Sequence, residues 1–588
     1  MPITAPLVGT VVWISAPGDR VGPGGTVCLL ESMKMEHPVV TETSVEVVEA
    51  LVETGQAVTM GQVLASVAPV SVEVVEEERV ATTTDERLDE LRHREALLTD
   101  EARPTKVARR AELGLRTARE NLADLLDEGS FVEYGRFAYA AQRARRSEAE
   151  LIAETPADGL VGGIGTVNGT TVVAVSYDYM VLAGTQGQRN HAKKDRLFEL
   201  AHRHHLPVVL FAEGGGGRPG DTDTAVVTGL DTEAFARFAA LSGHVPLLGI
   251  AAGRCFAGNA ALLGCCDVII AVEGASIGMG GPAMIEGGGL GIVAPDEVGP
   301  VSVHAAAGSV DVVVADEAAA VAVAKDLLDL FVGARPGCPP AEGVDLRTVV
   351  PADRRRSFDP RTIIEGLVDE GSGIELRSEF APNMVTLVAR IDGRPVAVLA
   401  NDSRHLAGAI DGPAADKATW FLRLAQERGL ALISLIDTPG FMVGPEVEAT
   451  GLVRRVGALF LAGSALKVPS IAVIVRRGFG LGAQAMATGS FVEPMATLAW
   501  PSGEMGGMGL EGAVRLGFRR ELDAITDEHE RARAETAMIA AASEHGRALN
   551  VAAHLEIDDV VDPATTRRHL VALLNAAGAT SGRGAQIS

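Results

Sequence analysis

The chain has 588 residues, of which 47% are hydrophobic, and its formal net charge is −25. Such an acidic surface repels nucleic acid and anionic membranes, so we expect neither as a partner. At ~100–200 residues per domain, the length predicts three or four packed domains. The five cysteines form no CxxC pair, and the N-terminus lacks the features of a signal peptide. These features predict a cytoplasmic protein without a metal site.

Residues 1–70 alternate short β-rich runs with glycine turns, which predicts a small all-β domain. The segment also repeats itself, because VVWISAPGDRVGPGGTVCLL resembles VVEALVETGQAVTMGQVLAS and the glycines keep their spacing. Two similar β halves predict a quasi-symmetric, flattened sandwich. The sequence ESMKMEHP joins the halves, where we expect a protruding hairpin.

Residues 71–105 are polar and charged, which predicts a linker. Leu88, Leu91 and Leu98 have helical spacing, so the linker is expected to contain one amphipathic helix that ends before Pro104. A surface helix is favoured over a helix that docks a partner. A flexible linker of ~30 residues has an end-to-end spread of about 30 Å.

The rest of the chain contains a repeat of domain size. LLDEGSFVE at 125–133 returns as LVDEGSGIE at 367–375, and HVPLLGIAAG at 244–253 is similar to KVPSIAVIVR at 467–476. Hydrophobic strands such as PVVLF alternate with helical stretches, which predicts α/β layers with largely parallel strands. The expected domains are the β domain at 1–70, the linker at 71–105, tandem α/β units at 106–345 and 346–575, and a flexible tail at 576–588.

Lys34 lies in the predicted hairpin, between Met33 and Met35 in the sequence ESMKME. This sequence within a quasi-repeated β domain resembles the biotinyl carrier domain, in which a ligase attaches biotin to the central lysine. The resemblance covers residues 1–70. It implies covalent biotin on Lys34 and a biotin protein ligase as a partner. The alternatives are a solvated hairpin lysine and a lipoyl domain, whose lysine usually has an acidic neighbour in place of methionine.

Two runs of small residues each follow a hydrophobic strand: GRCFAGNA at 253–260 and RRGFGLGAQAM at 476–486. Small residues allow backbone N–H groups to approach a ligand, and each such donor can stabilise a developing enolate by about 2.7–4 kcal/mol. Close packing of a helix on a strand is the alternative interpretation of either run alone. The glycine run at 214–217 is not followed by GK[ST], so no phosphate loop is predicted there.

Together with the repeat, these runs resemble the carboxyltransferase of acyl-CoA carboxylases, which belongs to the crotonase/ClpP superfamily. The resemblance covers about residues 106–575 and implies two tandem crotonase-like units. It implies that the backbone of Ala257 and Gly258 holds the acyl-CoA thioester oxygen, and that the backbone of Leu481 and Gly482 polarises the biotin ureido oxygen. Family members typically have glycine at the positions of Ala257 and Leu481.

The same resemblance implies two further substrate contacts. Gln484 matches a position that helps to select the acyl chain, where glutamine is neither acidic nor apolar, so no acyl group is predicted. His191, Lys193 and Lys194 match the region that contacts the CoA phosphates. A solvated helix face is an equally good interpretation of these three residues.

The implied reaction needs no side-chain base. Carboxybiotin loses CO2, the freed ureido nitrogen takes the α proton of the thioester, and the enolate attacks CO2, while the protein supplies positioning. We therefore predict the carboxyltransferase and biotin carrier of an acyl-CoA carboxylase, with a homohexameric core and a separate ATP-dependent biotin carboxylase. The alternatives are a subunit of a malonyl-type-CoA decarboxylase and a catalytically inactive carrier or scaffold.

Overall fold

The computed structural model describes residues 1–70, 85–218, 220–223 and 229–581. The chain forms two compact units, Met1–Asp89 and Glu90–Ser588. The first part of the predicted linker (residues 71–84) and the last residues of the predicted tail (582–588) lie outside the described residues.

The first unit is all-β. Its strands are β1 (Pro2–Thr4), β2 (Gly9–Ile14), β3 (Arg20–Val21), β4 (Thr26–Ser32), β5 (Met35–Val40), β6 (Val45–Ala50), β7 (Ala57–Val58) and β8 (Val63–Pro69). Within the described residues, one sheet has the order β1-β8-β6-β3 and the other β5-β4-β2-β7, and every pair is antiparallel. Buried side chains such as Val11, Leu30 and Leu64 form its core. The predicted all-β first domain is confirmed.

The two halves of this first unit turn at matching glycines. Gly18 and Gly24 have φ values of 96° and 77°, and Gly55 and Gly61 have φ values of 90° and 82°. Glycine alone adopts this left-handed region without a steric penalty. The repeated glycines of the sequence therefore mark the same turns in both halves of the sandwich.

The second unit alternates strands and helices. Its strands are β9 (Val132–Glu133), β10 (Leu160–Val167), β11 (Thr170–Tyr177), β12 (Val208–Phe211), β13 (Leu247–Ala251), β14 (Arg254–Phe256), β15 (Val268–Val272), β16 (Ser276–Gly278), β17 (Val312–Val314), β18 (Ile374–Leu376), β19 (Met384–Ile391), β20 (Arg394–Asn401), β21 (Ala431–Thr438), β22 (Ser470–Phe479), β23 (Ala496–Ala499), β24 (Glu504–Gly506) and β25 (Asp559–Val560).

The α-helices of the described chain are α1 (Glu86–Ala96), α2 (Pro104–Glu112), α3 (Ala118–Leu125), α4 (Glu148–Glu154), α5 (Gln188–His204), α6 (Ala234–Ala239), α7 (Gly258–Gly264), α8 (Pro282–Gly287), α9 (Val301–Ala306), α10 (Glu317–Val332), α11 (Leu346–Val349), α12 (Pro360–Glu365), α13 (Gly412–Arg428), α14 (Pro445–Glu448), α15 (Leu452–Ser464), α16 (Gly480–Met486), α17 (Leu510–Gly517), α18 (Arg519–Asp523), α19 (Glu528–His545), α20 (Ala548–Ala553) and α21 (Thr566–Ser581). Among the described residues, every helix is too short or too polar to cross a membrane.

The second unit has the same sheet architecture twice. In its first half the described strands have the order β17-β15-β13-β12-β11-β10-β9, and in its second half β18-β19-β20-β21-β22-β23-β25, with β24 beside β22. In each sheet a run of parallel strands is followed by three strands that pair antiparallel, β11-β10-β9 or β20-β19-β18. The predicted tandem α/β fold is confirmed.

The repeat also places two strand-to-helix turns at equivalent positions. β14 pairs in parallel with β16, where Phe256 lies opposite Gly278. The end of β22 pairs in parallel with β24, where Phe479 lies opposite Gly506. The helices α7 and α16 begin directly after these pairs, so the first-half turn (residues 256–258) and the second-half turn (residues 479–481) have one architecture.

Two local expectations differ from the structure. α1 ends at Ala96, so Leu98 lies beyond it. Pro104 begins α2, where the missing N–H of proline costs nothing because the first N–H groups of a helix have no partner within it. α21 continues through Ser581, so the segment predicted as a flexible tail from residue 576 begins as helix. Alanine is the best helix former, and this segment starts with Ala576 and Ala577.

Candidate functional site

The predicted hairpin of the first unit is formed by β4 and β5. Ser32 pairs with Met35, so Met33 and Lys34 alone make the turn. Both have left-handed backbones, with φ values of 54° and 66°. Turns of this kind usually contain Asn-Gly, and a residue with a side chain costs roughly 1–2 kcal/mol in this region. Strain of this kind is typically retained at functional sites.

Lys34 is an accessible amine at this hairpin tip. The residue is exposed, and Met33 and Met35 beside it are 96% and 65% exposed. In the sequence, Lys34 is the only lysine before Lys106. A group that is joined to a lysine of the first unit must therefore be joined here, and the exposed tip fits such a group without rearrangement.

The first-half turn contains one backbone N–H that is bonded and one that is not. Ala257 has φ 51° and ψ −122°, a strained conformation for a residue with a side chain, and α7 begins at Gly258. The N–H of Ala257 donates to the carbonyl of Gly278 at 2.9 Å. The N–H of Gly258 donates no hydrogen bond within the described part of the chain. Of the predicted Ala257–Gly258 donor pair, the structure therefore leaves the Gly258 N–H available.

The second-half turn has its left-handed residue one position before the predicted Leu481–Gly482 pair. Gly480, with φ 60°, occupies the position of Ala257, so Leu481 is the equivalent of Gly258. At Gly482 an added Cβ would lie 2.7 Å from both Cα and the carbonyl carbon of Gly440. Because both of those atoms belong to backbone, only glycine fits at position 482.

An open cavity of about 770 Å³ adjoins the second-half turn. Leu481 and Gln484 line it from α16, and Leu481 is 62% exposed. His545, Asn550 and His554 contribute to its wall. The structure thus brings two of the residues predicted from sequence, Leu481 and Gln484, to one cavity of a size that holds a small-molecule ligand.

The predicted phosphate contacts of Lys193 and Lys194 need correction. Both side chains point from α5 into the interior. The amino group of Lys193 donates to the carbonyl of Leu160, while that of Lys194 donates to Gln186 Oε1 at 2.6 Å and to the Tyr177 hydroxyl at 3.0 Å. Burial lowers the pKa of Lys193 to about 8 and that of Lys194 to about 7. Neither ammonium faces the solvent from which CoA phosphates would approach.

His191 does not supply a cation either. Its ring lies half-buried beside Phe235, with ring centroids 6.2 Å apart. Burial, together with the nearby charges of Lys194 and Arg218, lowers the pKa of His191 to about 3. The imidazole is therefore neutral at neutral pH, which removes the charge on which the predicted phosphate contact depended.

Each turn also adjoins a buried acid–arginine pair that the sequence did not reveal. Arg110 donates to both carboxylate oxygens of Glu213 at 3.0 and 2.9 Å, and Arg476 donates to Asp437 at 3.2 and 2.7 Å. Burial raises the pKa of Glu213, and the charge of Arg110 opposes that rise. Glu213 and Arg110 lie far apart in the chain, so no local pattern could have paired them.

We expect Arg110→Met to destabilise the second unit by about 3–5 kcal/mol, because it leaves the Glu213 carboxylate buried without its partner. The matched control is Lys106→Met, which breaks an ion pair with Glu154 whose side chains are 39% and 51% exposed. That change should cost about 1 kcal/mol or less. Thermal unfolding of the two variants measures the difference, and equal shifts in Tm would contradict the buried geometry.

Comparisons with known proteins agree with the geometry of both units. Residues 109–583 match the family model described as the carboxyl transferase domain, and residues 1–67 match the model of the biotin-requiring enzyme domain. The methylmalonyl-CoA carboxyltransferase 12S subunit of Propionibacterium freudenreichii subsp. shermanii is 32% identical over 84% of this chain and 95% of its own length. The biotin-dependent long chain acyl-coenzyme A carboxylase beta4 subunit of Mycobacterium tuberculosis is 31% identical over 75% of this chain and 85% of its own.

Solved structures show the same architecture. A single-chain, multi-domain long-chain acyl-CoA carboxylase superposes with a TM-score of 0.80 at 49% identity over 97% of this chain. The present chain spans 56% of the length of that carboxylase. The transcarboxylase 12S hexamer, solved with methylmalonyl-coenzyme A and methylmalonic acid, superposes with a TM-score of 0.75 at 31% identity. The superposition covers 86% of the present chain and 97% of the transcarboxylase chain.

Proposed function

We propose, from the premise that this chain belongs to the carboxyl transferase family and is a biotin-dependent carboxyltransferase, that it transfers a carboxyl group from biotin on Lys34 to the α carbon of an acyl-CoA. One observation carries the proposal. The same chain has an exposed lysine hairpin in its biotin-requiring domain and two equivalent backbone turns in its carboxyl transferase domain.

Lys34 is our proposed attachment site, with Met33 and Met35 as its apolar flanks. When bound, biotin supplies the carboxyl group and, after giving it up, a ureido nitrogen that can accept the α proton. The chain contributes a long arm on a small domain, which raises the effective concentration of the carried group to about the millimolar range. The exposed turn and the absence of any other lysine before Lys106 in the sequence support this assignment.

The two turns are our proposed oxyanion sites. In the first half, the N–H of Gly258 would face the thioester oxygen, and Ala257 would supply the left-handed bend that aims it. In the second half, the N–H groups of Leu481 and Gly482 would polarise the ureido oxygen of biotin. Backbone donors of this kind stabilise developing negative charge by about 2.7–4 kcal/mol each. No side-chain base is required of the protein.

Gln484 remains our proposed determinant of the acyl chain, because it lines the cavity next to Leu481. We propose an acyl group longer than propionyl, and the open cavity of about 770 Å³ has room for a ligand of this size. Each methylene that such a cavity buries contributes about 0.8 kcal/mol to binding. The relative with 49% identity is a long-chain acyl-CoA carboxylase, which supports the same substrate class.

The partners follow from the same comparison. Two of the relatives are subunits by name, which supports a separate ATP-dependent biotin carboxylase as the enzyme that charges Lys34. A biotin protein ligase would modify Lys34, and a homohexameric core is supported by the transcarboxylase 12S hexamer. We place the assembly in the cytoplasm, which fractionation of the native cells would test.

The test uses full-length protein isolated with its co-purifying chains. We expect the intact mass of the protein to show one attached biotin. With ATP and labelled bicarbonate, the label should appear in acyl-CoA, and KM for the acyl-CoA should fall as its acyl chain lengthens. Biotinylated protein that transfers no carboxyl group to any acyl-CoA, from acetyl to palmitoyl, would support the inactive scaffold. Carboxyl flow from malonyl-type CoA to biotin, coupled to a membrane ion pump and without an ATP-using partner, would support the decarboxylase.

A further inference from the structure

We propose that Lys194, Gln186 and Asn259 form a buried hydrogen-bond chain that positions the peptide N–H of Gly258 in the first-half turn. The inference rests on the function proposed above, because Gly258 matters there as a donor to the thioester oxygen. The three side chains would act as positioning residues, which hold the donor in place without touching substrate.

The chain of hydrogen bonds is continuous. Lys194 Nζ donates to Gln186 Oε1 at 2.6 Å, and Gln186 Nε2 donates to Asn259 Oδ1 at 2.6 Å. Asn259 Nδ2 then donates to the carbonyls of Gly184 and Glu213 at 3.1 and 2.7 Å. Lys194 and Asn259 are 0% exposed and Gln186 is 3% exposed. Shielded from water, these bonds hold the side chains in one arrangement.

The hydrogen-bond chain of Lys194, Gln186 and Asn259 contacts the Gly258 peptide that it is proposed to position. Asn259 follows Gly258 directly in α7, so fixing its side chain fixes the start of that helix. Gln186 Nε2 lies 3.0 Å from the place where a Cβ on Gly258 would be, and Phe235 lies 3.1 Å from it. The Gly258 peptide is thus packed against Gln186, the middle residue of the hydrogen-bond chain, and a shift of Gln186 would displace this peptide.

The glycine run at 214–217 has its structural reason in the same contacts. Gly214, with φ 127°, passes so close to Asn259 that an added Cβ would lie 2.8 Å from Nδ2. Gly216, with φ 85°, accepts a hydrogen bond from the Gln186 N–H at 2.6 Å, and an added Cβ there would lie 2.6 Å from Cβ of Ala257. The run brings a loop against both the hydrogen-bond chain and the turn, a role unrelated to phosphate binding.

The hydrogen-bond chain also holds Lys194 in the interior. Its amino group donates to two neutral oxygens, Gln186 Oε1 and the Tyr177 hydroxyl. Burial of an amine is costly unless its hydrogen bonds are made. Replacing the ammonium therefore leaves Gln186 Oε1 without this donor.

The second half supplies a matched control for this lysine. Lys417 in α13 is also 0% exposed, and burial lowers its pKa to about 7, as for Lys194. Its amino group, however, donates to the carbonyls of Arg377 and Phe380 at 2.7 and 2.8 Å. Lys417→Met therefore removes an equally buried ammonium without touching the chain that leads to Gly258.

The experiment measures carboxyl transfer from α-carboxylated acyl-CoAs, from malonyl-CoA to the α-carboxylated derivative of palmitoyl-CoA, to free biotin by the full-length protein. This half-reaction needs no ATP-using partner. The variants are Lys194→Met, Asn259→Ala, the double variant and Lys417→Met. We expect either single change to lower kcat about 10- to 100-fold with KM for the thioester within about twofold, since displaced donors mainly weaken transition-state binding. The double variant should be no slower than the slower single variant.

Lys417→Met should lose thermal stability while its kcat stays within about twofold of wild type. The inference is overturned if Lys194→Met and Asn259→Ala behave like Lys417→Met, or if the double variant shows the product of two independent losses. Should Lys194→Met not fold, Gln186→Glu decides, because it keeps an acceptor for Lys194 but removes the donor to Asn259. A wild-type protein without carboxyl transfer would instead overturn the proposed function, and the inference with it.

Discussion

A chain that carries Lys34→Arg is expected to contain no biotin and to fix no bicarbonate with its carboxylase partner. Arginine keeps the positive charge and a long side chain at the exposed turn, but its guanidinium is not acylated by a ligase. Bicarbonate fixation should fall by at least about 10³-fold, because no carboxyl group reaches the transferase on a tethered arm. Transfer from malonyl-type CoA to free biotin should remain near the wild-type rate, since the turns of the second unit are unchanged.

Lys106→Arg is the control, because Lys106 is the next lysine in the sequence and lies in the second unit, paired with Glu154. It should retain biotin and full activity. Intact mass and avidin blotting report the modification, while labelled bicarbonate reports the overall reaction. A biotinylated Lys34→Arg protein would refute Lys34 as the site. A protein without activity on free or tethered biotin would identify a scaffold.

The second large effect is expected for Gly482→Ala, which should lower kcat of the half-reaction by about 10²–10³-fold. An added Cβ would lie 2.7 Å from two backbone atoms of Gly440 and 3.0 Å from the N of Phe441, so backbone must move. That movement would displace the Leu481 and Gly482 N–H groups from the proposed ureido oxygen.

Gly264→Ala is the matched control for this variant. Gly264 ends α7, the equivalent helix of the first half, and an added Cβ there has open space around it. Alanine is favoured over glycine in helices by about 1 kcal/mol, so stability should not fall. Its kcat should equal that of wild type. A Gly482→Ala protein within about threefold of wild type would show that this turn does not contribute an oxyanion site.

Features carried by short sequence segments were predictable. The ESMKME hairpin, the repeated glycines of the first unit and the small-residue runs after β14 and β22 all depend on neighbours within a few residues. Turn geometry and strand-to-helix transitions are set by such local constraints. The lysine tip and both turns therefore lie where the sequence predicted them, with the roles of Lys34, Leu481 and Gly482 still proposals.

Features that depend on which way a side chain points were not predictable. Lys193 and Lys194 lie in a polar stretch that reads as solvated helix, yet both are buried. Lysine is almost never fully buried unless it has partners, and here those partners come from other elements: Leu160 from β10, and Gln186 and Tyr177 from outside α5. No periodicity within α5 encodes them. For the same reason, the sequence did not predict the hydrogen bond from the Ala257 N–H to the carbonyl of Gly278.

The sequence by itself determined the family, the fold class, the biotin-bearing domain and the duplication, because these reside in motifs and repeats that survive without coordinates. Only the tertiary structure decided which backbone amides are free, which lysines are interior, and that Asn259 connects through Gln186 to Lys194. The physical reason is that hydrogen-bond satisfaction and desolvation depend on all neighbours in space. For Gln186 and Asn259, those neighbours lie 73 residues apart in the chain.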